Sequence, residues 1–200
     1  MATTLLADGR AEDVADMVEP LLEPVSAPAA RTGQILLRGL MARIEVLRRD
    51  RPERAFELLP VVAEGSGLCT CVRAEVALWR GWARVRHATT LDETTRGLRQ
   101  LNDAQDLYRS IHDPVGRTWA LLGRARAYAA LTEYGLMRRI LDEAESLADR
   151  LQDTQARRWL HDLWVEALRA AGLFDRAEEH LTALRSIAAE WGALRVQGRA

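Results

Sequence analysis

Lysine is absent from this sequence of 200 residues, and all 28 basic side chains are arginine. They face 29 carboxylates, for a formal net charge of −1, and the two signs are interspersed, as in Glu143, Glu145, Asp149 and Arg150. Interspersed charge is the mark of a solvated helix face, not of a stripe for nucleic acid. The arginine-only usage is most simply a genomic composition bias; selection of guanidinium forks for phosphate is the less economical reading. The only cysteines, Cys69 and Cys71, are too few and too close for a disulfide framework. No apolar run reaches the length of roughly 18 residues that a membrane-spanning helix needs. The opening MATTLLADGRAEDV has no basic region followed by an apolar one, so no signal peptide is expected, and the chain reads as cytoplasmic. Glycine and proline, at 13 and 6, are too rare for a disordered or turn-rich β chain. Val, Ile, Thr and aromatic residues are too sparse to fill many strands.

What remains is rich in Ala, Leu, Arg and Glu, all strong helix formers. Breaks fall at Gly9, Pro24–Pro28, Arg51–Pro52, Gly65–Gly67, Thr90–Glu93, Asp113–Pro114, Asp153–Thr154 and Gly172. Asp113 ahead of Pro114 combines a capping carboxylate with a proline suited to the first turn. Thr90 followed by Glu93 has capping-box spacing. Between the breaks, apolar residues recur every three or four positions, predicting helices near 11–23, 31–49, 53–64, 68–88, 93–111, 115–131, 134–151, 155–171 and 174–191. Pro60 makes the third of these short or kinked. The expected fold class is therefore all-α, about nine helices forming an array of antiparallel pairs.

Self-similarity supports a repeat. Trp79, Trp119 and Trp159 follow one another at a constant interval of roughly 40 positions. The same spacing aligns Leu101, Leu141 and Leu181; Ala104, Ala144 and Leu184; Leu107, Leu147 and Ile187; Ile111, Leu151 and Trp191; and Tyr134 with Phe174. Upstream, Ala55, Leu59 and Val62 match Gly97, Leu101 and Ala104 at a spacing two positions longer, and Gly9–Leu21 reads like Gly172–Leu184. The expected organisation is one repeat domain over 1–200, with pairs at 31–64, 68–111, 115–151 and 155–191 and a partial capping unit at 1–25. A two-helix unit cannot bury both apolar faces alone, so stacking neighbours must complete the core, and Gly123, Ala125, Ala144, Ala148, Ala177 and Ala188 suit close helix approach.

The segment Ala167–Glu178 carries a small-residue helix end, Gly172, an aromatic two positions on and Ala177 three after that. Tyr128–Ala144 is similar, with Tyr134 as the aromatic and Met137 where alanine is usual, whereas the 93–112 unit has Thr94 and Gly97 at those places. In these features the chain resembles tetratricopeptide repeats, with the unit lengthened from about 34 positions to roughly 40, as in large bacterial regulators. The resemblance covers about three quarters of the chain and implies a right-handed superhelical solenoid. It also implies a non-catalytic scaffold for protein–protein or ligand binding, with no cofactor, acting as the interaction region of a regulatory protein. The tail Arg195–Ala200 shows no capping helix, which fits the N-terminal region of a longer regulator.

In such repeats the first helix of each pair lines a groove. Trp79, Trp82, Arg86 and Thr89 lie at i, i+3, i+7 and i+10, one helical face. Trp119, Leu122, Arg126 and Ala129 repeat it, as do Trp159, Asp162, Glu166 and Arg169. Set in the groove, this face would stack on an extended peptide or small ligand through its tryptophans and meet carboxylates with Arg86 and Arg126. The competing expectation is that the tryptophans fill the core between repeats. The expected partner is a protein or peptide; self-association into a homodimer through an open end of the array is the alternative, and nucleic acid is not expected. Cys69 and Cys71 read as inert small residues near a helix start. His87, His112, His161 and His180 show no metal spacing. Phosphate loops, nucleophile elbows and HExxH are missing, and Asp142, Glu143 and Glu145 read as a solvated face, so no catalytic residue is assigned and the chain is not expected to be an enzyme.

Overall fold

The computed structural model describes residues 11–22, 31–61, 67–148, 150–151 and 153–197, and side chains only as far as 190. Most of the expected capping unit, the Pro24–Pro28 and Gly65–Ser66 breaks, the Trp191 side chain and the end of the tail lie outside these residues. Among the described residues the regular structure is all helical. The order is α1 (Ala11–Val18) with a 3-10 turn (Glu19–Leu22), α2 (Arg31–Leu47), α3 (Pro52–Leu58), α4 (Thr70–His87) and α5 (Leu91–Ser110). There follow α6 (Pro114–Ala130), α7 (Tyr134–Ala148), α8 (Thr154–Ala170) and α9 (Phe174–Gln197).

Local chemistry sets the boundaries. Asp113 and Asp153, one repeat apart, cap α6 and α8 in the same way. The Asp113 carboxylate accepts the N–H groups of Val115 and Gly116 at 2.9 and 3.0 Å, and Asp153 those of Gln155 and Ala156 at 3.0 Å each. Thr90 accepts the Glu93 N–H at 3.2 Å, completing the expected cap of α5. Helices α5, α6 and α8 close with one bonding pattern. Asp113, Glu133 and Leu173 donate to the carbonyls of Tyr108, Tyr128 and Leu168, around a left-handed residue at His112, Thr132 and Gly172. Glycine holds that conformation without strain; the β-branched Thr132, at φ 59° in the same repeat position as Gly172, does not. The third expected helix is shorter than 53–64. It ends at Leu58, because the residue before Pro60 is driven to extended backbone and Leu59 sits at φ −103°, ψ 125°.

Consecutive helices pack in order, and each first helix (α2, α4, α6, α8) also touches the first helix of the next pair. The second helices stand further apart: among the described residues their backbones do not meet, and a side-chain bond from Gln105 of α5 to Glu143 of α7 at 3.5 Å links two of them. The first helices thus form the inner, shorter layer of the array, and the second helices splay on the outside. One continuous core runs from Ile35 on α2 to Ala177 on α9, and a smaller cluster of Val14, Ala15, Val18, Met41 and Ile44 seats α1. Arg49 ties that end together, donating to Glu12 at 2.6 Å and to Glu45 at 2.9 Å. Helices α4 and α5 approach through Gly81 and Gly97, where a Cβ on Gly97 would stand 3.1 Å from the Gly81 carbonyl oxygen. Gly97, which departs from the alanine expected at its repeat position, is the residue that lets these two backbones meet.

Candidate functional site

The inner layer is where the expected ligand face lies, and its tryptophans meet one another instead of facing an open groove. The Trp79 and Trp119 rings are 5.8 Å apart, Trp82 and Trp119 6.4 Å, and Trp82 and Trp159 5.4 Å. The last contact joins α4 to α8 across α6. Arg43 of α2 reaches further: its guanidinium lies 4.5 Å from the Trp119 ring centre and donates to Gln155 of α8 at 2.8 Å. The curvature is therefore tight enough that side chains from the first and last pairs touch inside the arc.

This overturns the expectation of exposed anchors. Trp79, Trp82, Trp119 and Leu122 are at most 1 % exposed and Trp159 is 8 % exposed. Indole rings are large enough to fill the arc that the first helices enclose. The polar ends of the same face form the rim, and they are paired within the chain. Arg86 bonds Asp50 and lies 5.5 Å from the Trp159 ring centre; Arg126 bonds Glu166 across α6 and α8 at 2.8 Å. Asp162 and Arg169 are exposed, Thr89 is spent on Glu93 beside the start of α5, and Ala129 is buried.

The buried polar groups of this face are mostly satisfied. Trp79 donates to Glu75 at 2.7 Å, Tyr108 donates to the same carboxylate at 2.7 Å, Trp82 donates to the Trp119 carbonyl at 3.0 Å, and Trp119 donates to Asp153 at 3.0 Å. The Trp159 N–H has no partner among the described residues. Burial pulls the Arg43 guanidinium below its ordinary value, and the carboxylates of Asp153 and Glu75 oppose the shift. Burial, followed by the nearby Glu75 charge, pushes the Tyr108 hydroxyl well above its ordinary value, so it stays a donor.

The open site is on the other side of the array, and the sequence pattern did not single it out. A cleft of about 640 Å³ is lined by α4, by α5 and by Val61 beyond the end of α3. Val61, Val76, Ala77 and Leu107 supply its apolar lining; Arg73, Arg80 and Arg84 stand on α4, and Gln100, Asp103, Asp106 and Ser110 on α5. Arg80 and Arg84, one turn apart, lie 5.4 and 5.5 Å from the centre of the Phe56 ring. Arg80 donates to the Leu59 carbonyl at 2.6 Å and Arg84 to Gln100 at 3.2 Å, so both of these bonds go to neutral acceptors. Burial, and then the Arg84 charge, hold Arg80 below its ordinary value. Two adjacent, partly buried cations thus share the cleft with the carboxylates of Asp103 and Asp106. The Arg80–Arg84 spacing was visible in the sequence, but the cleft depends on the early end of α3.

The last pair holds a second cluster that sequence spacing hid. His161 and His180 face each other across the α8–α9 turn with their Nδ1 atoms at 2.9 Å. Their positions relative to Gly172 were the available signal. Trp164 stacks on His180 with ring centres 5.6 Å apart. Burial first, and then Arg176, pull the His180 imidazole below its ordinary value, with Glu179 opposing. An imidazole in the unfolded chain titrates near pH 6.5. Below that pH the folded state binds fewer protons at His180 than the unfolded state. The stability from this contact is thus present above about pH 6.5 and is lost on acidification. Urea unfolding at pH 7.5 and pH 5 is expected to show a fall in midpoint that His180→Gln reduces; an identical fall in the variant would remove the imidazole pair as its cause.

Among the described residues no group of three or more His, Cys, Asp or Glu side chains is placed to hold a metal ion, and no helix is long and apolar enough to cross a membrane. Comparison of the chain with protein-family models, curated proteins and solved structures finds no match.

Proposed function

We propose that the chain is a non-catalytic scaffold of tetratricopeptide-like pairs wound as a right-handed superhelix. In this reading it is the interaction region of a regulatory protein and holds an extended acidic segment of a partner in the outer cleft. The observation that carries the reading is the pair Arg80 and Arg84, each near the Phe56 ring and bonded to a neutral acceptor, in a cleft that also offers the apolar side chains of Val61, Val76, Ala77 and Leu107. An extended peptide would place apolar side chains against Val76 and Leu107 and its carboxylates on the guanidiniums. The inner tryptophan face supports a different role, that of holding the pairs together.

A fluorescein-labelled peptide of alternating leucine and glutamate tests the reading by anisotropy. Saturable binding that weakens with added salt is expected. Arg84→Glu is expected to weaken it at least about tenfold, near 1.4 kcal/mol, with unchanged helicity. Equal binding by the variant, or by a leucine–arginine peptide, would sink the proposal. Self-association is the second reading, favoured by Leu181: it is half-buried, whereas Leu101 and Leu141 in the same register are fully buried under the following first helix. Light scattering that stays at the monomer mass across micromolar concentrations would count against it.

A further inference from the structure

Free cysteine is among the most consistently buried residue types. Here both cysteines of the chain are exposed, and they touch. Cys69 occupies the N-cap position of α4 with extended backbone at φ −62°, ψ 156°, and Cys71 lies in the first helical turn. Their Sγ atoms are 2.7 Å apart, about 0.7 Å beyond a disulfide bond length. Two nucleophilic atoms thus meet at the surface in reach of solvent. Neither is committed to the core, since both are exposed.

The two thiols are unlike. The Cys71 thiol beside it, followed by the backbone N–H of Val72, pulls the Cys69 thiol below its ordinary value. Cys69 in turn pushes Cys71 above its own. The unfilled N–H groups of the α4 start act in the same direction on Cys69. An acidified, accessible thiol with a second thiol in contact is the arrangement of an attacking and a resolving cysteine.

We propose that Cys69 and Cys71 form a thiol–disulfide exchange site whose substrate is a low-molecular-weight disulfide of the glutathione type. The Cys69 thiolate attacks one sulfur of the substrate disulfide, forming a mixed disulfide and releasing one thiolate, which takes up the proton that Cys69 gave to solvent. Cys71 then loses its proton and attacks Cys69 Sγ, forming the Cys69–Cys71 bond and expelling the second substrate thiol. The protein dithiol loses two electrons and two protons; the substrate disulfide gains both as two thiols. The oxidised bridge locks the entry of α4, the helix that floors the cleft, in one conformation.

The experiment incubates the reduced full chain with oxidised glutathione and follows intact mass. Wild type is expected to lose two hydrogens without retaining glutathione, and to recover them with dithiothreitol. Cys71→Ser is expected to accumulate one glutathione adduct, because its resolving thiol is gone. Cys69→Ser is expected to react about tenfold more slowly, because the acidified thiol is the attacking one. Both positions are exposed, so far-UV circular dichroism should be unchanged in each variant. A wild-type chain that stays reduced, that retains glutathione as Cys71→Ser does, or that links into dimers overturns the proposal. So do equal reaction rates for the two single variants.

Discussion

Replacing Trp119 with alanine is expected to destabilise the fold by about 3–5 kcal/mol, the range for truncating a buried aromatic. For a chain of this length that is a fall in Tm on the order of 10 °C. The reason is its position. Trp119 lies on the central helix of the inner layer at 1 % exposure, with Trp79 and Trp82 on one side and the Arg43 guanidinium over its face. Its N–H is also the link from α6 to Asp153 at the start of α8. The cavity left behind is walled largely by the rigid indoles of Trp79 and Trp82, which limits how far it can close. Guanidinium unfolding followed by circular dichroism measures the effect. Arg169→Ala, on the exposed rim of the same repeated face, serves as the comparison and should stay within about 0.5 kcal/mol of wild type. Equal stability of the two variants would return Trp119 to the role of a groove anchor.

Arg43→Ala is expected to cost about 3 kcal/mol, the lower part of the range for removing one partner of a buried ion pair. Arg43 is 8 % exposed and spans the arc: it belongs to α2, covers a ring on α6, bonds Gln155 on α8 and stands 3.8 Å from Asp153. Removing it strands the Gln155 carbonyl and part of the Asp153 charge in the interior. Asp153 keeps its bonds from Trp119, Gln155 and Ala156, which holds the cost below the upper end. Arg43→Met supplies the contrast. An apolar side chain of similar length keeps the ring contact, so the methionine variant should recover part of the loss. Because the contact joins the first pair to the last, Arg43→Ala should also broaden the urea transition as the ends unfold separately. A sharp transition with unchanged midpoint would show that the bridge contributes nothing.

Much of the architecture was legible because it is written in local chemistry. The capping carboxylates Asp113 and Asp153 start their helices where the sequence places them, and Pro60 stops α3 through the backbone of Leu59. The long-period recurrence marked which residues are equivalent; Leu101, Leu141, Ala104 and Ala144 are all buried at equivalent places. The same recurrence misled on the tryptophans. A repeated indole is compatible with a repeated ligand wall and with a repeated core. The difference depends on how tightly the first helices curl, a sum of small inter-pair rotations that no single repeat contains. The Arg43–Gln155 bond, between residues far apart in the chain, and the Arg80–Arg84 cleft were illegible for the same reason.

The sequence by itself determined that this chain is helical, where most of its helices begin and end, and that they come in pairs of one kind. These follow from propensity, capping groups and the spacing of apolar residues, all of which act within a few turns of chain. Only the tertiary structure decided which face is open. It closed the inner arc on its own tryptophans, spent Arg86 and Arg126 on Asp50 and Glu166, and left Arg80 and Arg84 in a cleft on the outside. Curvature sets that outcome, because the shorter inner layer brings side chains of distant helices into contact while the outer helices stand further apart and leave room for the cleft beside α4 and α5.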